Sequence, residues 1–247
     1  MTDTQPVALI TGAAQRIGAC ISRTLHSAGY RVLVHYRNSE QAALELAKEL
    51  NQLRPNSAAT LQADLDDMDQ IQPLAAKAIN TFGQLDLLVN NASSFFPTPV
   101  AESSQQQWDQ LINSNLRAPY FLSVALSEEL KNRQGCIINI VDIHAQRGLQ
   151  NYPIYSIAKA GLQMMTQSLA KELSPEIRVN GVSPGAILWP EADAALSEKD
   201  KEELLAKVPL HRTGTPKDVA ETVLFLAGSP YITGQILAVD GGKSLYS

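Results

Sequence analysis

This sequence of 247 residues has little of several things, and each shortage narrows the field. No apolar run approaches the ~20 residues needed to span a bilayer. The opening MTDTQPVALIT lacks a charged stretch followed by a long apolar one. Only two cysteines occur, Cys20 and Cys136; they have no metal-ligand spacing and read as small buried apolar residues, so no metal is expected. No basic patch offsets the net charge of -5, which argues against nucleic acid as a partner. No Pro/Ser-rich linker, charge block or internal repeat divides the chain. The expectation is a soluble, cytoplasmic protein with no membrane span, and 45% hydrophobic residues suit one large α/β domain over 1–247.

Seven short runs rich in β-branched residues read as strands: VALIT (7–11), RVLVHY (31–36), AATLQAD (58–64), LDLLVN (85–90), CIINIV (136–141), IRVNGVS (177–183) and QILAVD (235–240). They are nearly continuous apolar runs, as strands buried on both faces are. Helical patterns lie between them, such as SEQAALELAKELNQL from Ser39 and AKAGLQMMTQSLAKEL from Ala158. Alternation of strand and helix predicts right-handed crossovers and a doubly wound parallel sheet of about seven strands. Ligands bind such sheets beyond the carboxyl ends of the strands.

After the first strand comes TGAAQRIG (11–18), where Gly12 and Gly18 suit a turn that brings a helix N-terminus against a phosphate. Arg16 occupies the place of a middle glycine and offers positive charge instead; an ordinary strand-to-helix turn is the alternative. The second strand ends in HYRNSE, with no early acid to bind a ribose 2′-hydroxyl. Arg37, Asn38 and Ser39 suit a 2′-phosphate, which predicts NADPH as cofactor, against a solvated loop with Ser39 as helix cap. Asp64 and Leu65 suit an adenine contact, although Asp64 also suits a helix cap. Asn91, Ala92 and Ser93, in NNAS, would let backbone approach the ribose and nicotinamide. Farther on, Tyr155 and Lys159 stand four apart at the start of a helix, a spacing suited to proton transfer, and Asp142 ends the apolar run before them.

The glycine turn, NNAS, Asn115, Tyr155-x3-Lys159 and SPG (183–185), in that order, resemble the short-chain dehydrogenase/reductase family over essentially the whole chain. The resemblance implies a single Rossmann-type domain, with Ile17, Pro184 and Gly185 also on the cofactor and 186–214 as a substrate-binding loop. Two departures, Arg16 for a glycine and Asp142 for the catalytic serine, together with HYRNS and NNASSFFPTP, are similar to the pteridine reductase branch. That likeness implies that Arg16 contacts cofactor phosphate and pterin, that Asp142 joins Tyr155, and that Phe95 stacks on the pterin. The wider family resemblance implies a homotetramer as well. Asn115 would orient a lysine-linked water, or else satisfy a backbone kink. Phe95 or Phe96 would otherwise pack under the loop, and Leu188 and Trp189 read as pocket lid or as core.

Hydride addition to C=O builds negative charge on oxygen, which a nearby carboxylate destabilises. A C=N bond can be protonated first, and a carboxylate then stabilises the positive group or passes on the proton. Asp142 therefore points to a nitrogen heterocycle. The expectation is an NADPH-dependent pteridine reductase making a tetrahydropterin from a dihydropterin, with dihydrofolate as a secondary substrate. Catalysis falls to Asp142, Tyr155, Lys159 and Asn115; the substrate meets Arg16, Ser93, Phe95, Asp142, Tyr155, Leu188 and Trp189. The competing readings are a ketone or 3-oxoacyl reductase and a non-catalytic NADPH-sensing regulator.

Overall fold

In the computed structural model, which describes residues 5–187, 203 and 205–245, seven strands pair in one parallel sheet of order β3-β2-β1-β4-β5-β6-β7. They are β1 Val7–Ile10, β2 Arg31–Tyr36, β3 Ala58–Gln62, β4 Leu87–Asn90, β5 Cys136–Ile140, β6 Arg178–Pro184 and β7 Ile236–Val239. Each falls on an expected run, with ends moved by a residue or two. Successive strand residues point to opposite faces, and here both faces are covered. Ala8, Ile10, Val32 and Val34 pack under helices α1 Arg16–Ser27, α2 Glu40–Leu53 and α7 Pro216–Ala227. Val7, Leu9, Leu33 and Leu88 pack under α3 Ile71–Phe82, α5 Ala118–Asn132 and α6 Pro153–Glu172. The expectation of burial on both faces fails at β7, whose residues are half-buried or exposed, because it is an edge strand with β6 as its one neighbour.

Three features position the site. The strand order reverses between β1 and β4, so crossovers leave in opposite directions and open a crevice at their carboxyl ends. Beneath it, Asn90 Nδ2 donates to Asn139 Oδ1 at 2.8 Å, and Asn139 Nδ2 to Thr166 Oγ1 at 2.8 Å, which ties β4, β5 and α6 together by satisfied buried polar groups. Helix α4, Gln105–Ile112, starts at a capping box of Ser104 and Gln107 and runs into α5 through a π-helical turn, Asn113–Arg117. Such turns leave backbone carbonyls for other donors and occur often at functional sites. Among the described residues no helix is long and apolar enough to cross a membrane.

Candidate active site

The crevice is a cavity of about 580 Å³. At one end, Gly12 turns the chain at φ +59°, and a Cβ there would lie 2.9 Å from Ala92 Cα. At Gly18 a Cβ would lie 2.4 Å from the Gly12 carbonyl oxygen, so only glycine lets α1 start against the turn. Arg16 has φ +52°, in the left-handed region that favours glycine, a strain on the order of 1 kcal/mol. Helix α1 has no side-chain cap and no acid in its first turn, so its leading N–H groups are left for the cavity it faces, which fits a diphosphate. Thr11 Oγ1 accepts from the N–H groups of Asn91 (2.9 Å) and Ala92 (3.0 Å), while Asn91 Nδ2 donates to the Thr11 and Gly12 carbonyls at 2.8 and 3.0 Å. These bonds lock the loops after β1 and β4 across the crevice.

Arg37, Asn38 and Ser39 line the same cavity beyond β2. Ser39 holds the helix-cap position of α2, but its side chain makes no capping bond. No acid follows β2 directly, yet the neighbouring β3 loop supplies two: Arg37 pairs with Asp66 at 2.7 Å and approaches Asp64 at 3.6 Å. The guanidinium is well exposed, so these pairs are weak and exchangeable for a phosphate. Asp64 is not a helix cap; its Oδ1 accepts from the Asp66 N–H at 3.0 Å, and Asp67 caps the following turn. Leu65, beside it, also lines the cavity.

At the other end, β5 stops at Ile140 and Asp142 caps a short 3-10 turn, its Oδ1 accepting from the His144 N–H at 2.8 Å. The Tyr155 hydroxyl donates to Asp142 Oδ2 at 2.9 Å. One turn along α6, Lys159 is 2% exposed, and its Nζ donates to the Ile140 carbonyl at 2.9 Å. Burial first, and the Asp142 charge second, push the Tyr155 phenol well above its ordinary value; the nearby Ser93 opposes them. Burial lowers Lys159 from 10.5 to about 8, against the pull of Asp142. Tyr155 thus stays a phenol in the neutral range.

Asn115 sits in the π-helical turn, fully buried behind the cavity wall. Its Nδ2 donates to the Ser94 and Leu111 carbonyls at 2.9 and 3.0 Å, and its Oδ1 accepts from the Ser93 hydroxyl at 2.7 Å. It satisfies the kinked backbone and fixes Ser93 at once. The two phenylalanines divide their roles. Phe96 packs with Leu111, Ile154 and Tyr155, whereas Phe95 lines the cavity. The Phe95 ring stacks on Tyr152 at 4.5 Å and meets Tyr155 edge-on at 4.8 Å.

A family model described as enoyl-(acyl carrier protein) reductase matches residues 12–244. Pteridine reductase 1 of Leishmania tarentolae is 38% identical, over 99% of this chain and 98% of its own length. The 3-oxoacyl-(acyl-carrier-protein) reductase FabG of Staphylococcus aureus is 37% identical over 95% and 96%, and that of Thermotoga maritima 35% over 96% and 96%. The chain belongs to the short-chain dehydrogenase/reductase family. It is an oxidoreductase of a family that uses NAD(P)H.

On this short-chain reductase fold, Gly12, Arg16, Ile17, Pro184 and Gly185 line one cavity together with Ser93, Phe95, Asp142, Tyr155 and Lys159. Leu188 and Trp189 lie outside the described residues, as does most of the first half of the 186–214 segment; the ends of that segment are joined by the Gly214 N–H bonding to the Ala186 carbonyl at 2.9 Å. Two contributors were not singled out from sequence. Thr11 carried a signal, as the hydroxyl at the end of β1, but its double acceptor role needs the β4 loop beside it. His35, one residue before the end of β2, lines the cavity too and looked like an ordinary strand residue.

Proposed function

We propose that this short-chain oxidoreductase is an NADPH-dependent pteridine reductase, which converts a 7,8-dihydropterin to its tetrahydro form and takes dihydrofolate as a secondary substrate. The observation that carries the reading is the 2.9 Å bond from Tyr155 to the Asp142 carboxylate inside the cavity. Bound NADPH would supply the hydride. Tyr155 gives its proton to the substrate nitrogen ahead of that hydride, the protonated C=N becomes CH–NH when the hydride adds to carbon, and solvent restores the phenol. Asp142 stabilises the positive charge on the protonated nitrogen and keeps the hydroxyl aimed. Lys159 would hold the nicotinamide ribose, and Asn115 keeps Ser93 against Tyr155 and is proposed to order water near Lys159. Arg16, Arg37, Asn38 and Ser39 would hold the phosphates, and Asp64 and Leu65 the adenine. Ile17, Asn91, Ala92, Pro184 and Gly185 would flank the nicotinamide half. Arg16 and the Phe95 ring would meet the pterin, the ring contributing ~0.5–1.5 kcal/mol beyond burial.

The second reading, a 3-oxoacyl or ketone reductase, is favoured by the FabG relatives at nearly equal identity. Asp142 weighs against it. NADPH oxidation measured with dihydrobiopterin, dihydromonapterin, dihydrofolate, a 3-oxoacyl thioester and simple ketones separates the two. Turnover of the pterins is expected; turnover of the thioester with none of the pterins overturns the proposal. Half-exposed apolar side chains on α5 and α6, among them Phe121, Val124 and Met164, support a homotetramer.

Two substitutions test the cofactor end. Arg37→Asp places a carboxylate at the 2′-phosphate position and should cut the preference for NADPH over NADH by ~10-fold or more; an unchanged ratio of the two kcat/KM values contradicts this. Lys159→Met removes a buried charge. Lys159 is protonated below about 8 in the folded chain but up to 10.5 when unfolded, so its burial destabilises on the acid side and this penalty fades as pH rises through that window. The variant should lose most turnover yet gain folding stability at neutral pH, on the order of 3 kcal/mol at most. That gain should shrink toward pH 10, in thermal melts of both proteins. A lower Tm than wild type at neutral pH contradicts it.

A further inference from the structure

His35 is 2% exposed, and each ring nitrogen has one partner. Nδ1 accepts the Gly12 N–H at 3.1 Å, and Nε2 lies 3.2 Å from the Ala63 carbonyl oxygen. The carbonyl of His35 also accepts the Ala13 N–H at 2.8 Å. These partners fix the protonation of the ring. An amide can only donate, so Nδ1 must present its lone pair; a carbonyl can only accept, so Nε2 must carry the hydrogen. Burial agrees, lowering the imidazole to about 4, with the Ala63 carbonyl and the Asp64 charge opposing it.

We propose that His35 is a positioning residue for the cofactor: its neutral imidazole clamps the Gly12 turn and ties it to the chain beyond β3, so that the phosphate and adenine sides of the cavity are set before the dinucleotide arrives. The proposal rests on reading the cavity as an NADPH site and is independent of the pterin. Gly12 turns at φ +59°, and its N–H is consumed by His35, so the turn serves the ligand through its shape rather than through that amide. With the acceptor removed, the Gly12 N–H that points at the His35 ring loses its partner, and the turn shifts to satisfy it. Cofactor binding must then restore the turn, and affinity falls.

Two amides split the clamp. In His35→Asn, Oδ1 reaches the Nδ1 position and keeps the acceptor for Gly12 while losing the donor to Ala63. In His35→Gln, the terminal amide reaches the Nε2 position and does the reverse. A role in core packing alone would favour Gln, which is closer to His in volume. NADPH titration by fluorescence should give a Kd at least ~10-fold weaker for Gln than for Asn. KM for NADPH should rise in step, and kcat should change far less. Equal Kd values for the two variants overturn the proposal. Should the Gln variant not fold, nitrogen NMR of the wild-type imidazole decides: an Nε2–H ring at neutral pH, with and without NADPH, supports the clamp, and a charged or Nδ1–H ring overturns it. A wild type that binds no NADPH sinks the cofactor reading instead, and the NMR result still judges the clamp.

Discussion

Tyr155→Phe should lower dihydropterin turnover by ~10²-fold or more and leave NADPH affinity nearly unchanged. The substitution removes one oxygen from a ring that is 5% exposed and held edge-on by Phe95, so packing survives. What disappears is the O–H that burial and Asp142 together keep protonated. The loss should fall on kcat, because the proton is delivered only after the substrate has bound. Steady-state kinetics beside NADPH titration measures both. A variant with nearly full kcat would mean that the proton reaches the substrate through Asp142 or solvent.

Asp142→Ser should be as damaging for a pterin and much less so for a carbonyl. Serine keeps a cap acceptor for the His144 N–H, so the 3-10 turn that Asp142 opens should hold. The charge is lost. A protonated C=N then has no counterion, and kcat/KM for dihydropterin should fall by ~10²-fold. An oxyanion, by contrast, is relieved of a repelling neighbour. The ratio of dihydropterin to 3-oxoacyl thioester kcat/KM should therefore drop steeply, even if the Phe95 wall keeps absolute thioester turnover low. Parallel losses on both substrates would mark Asp142 as a structural residue.

How much of this was legible in the sequence depended on the range of the interactions involved. Period and composition located every strand, since burial between two helical layers imposes apolar runs that are local and visible. Gly12, Asp142, Tyr155 and Lys159 were legible too, because each stands just beyond a strand or one helical turn from its partner. The β7 edge was not, since strand order is a property of the whole sheet. Asp66 beside Arg37 was hidden for a similar reason: the β3 loop meets the end of β2 only after the strands pair. Asn115 could be read as functional or as backbone support, and the structure shows one amide satisfying the kink and holding Ser93 together. His35 was invisible because its partners, Gly12 and Ala63, come from two other strand ends.

The carboxylate at position 142 is the centre of the account, and single-turnover hydride transfer tests it most directly. Wild type and Asp142→Ser, each saturated with NADPH and mixed with saturating 7,8-dihydropterin, are followed by loss of reduced-nicotinamide absorbance across a range of pH. The transfer step should be much slower in the variant at every pH. The pH profile should change as well, since Tyr155 loses the neighbouring Asp142 charge that, after burial, helps to hold it protonated. Equal rates with superimposable profiles would contradict the account and leave Asp142 as no more than the cap of a turn.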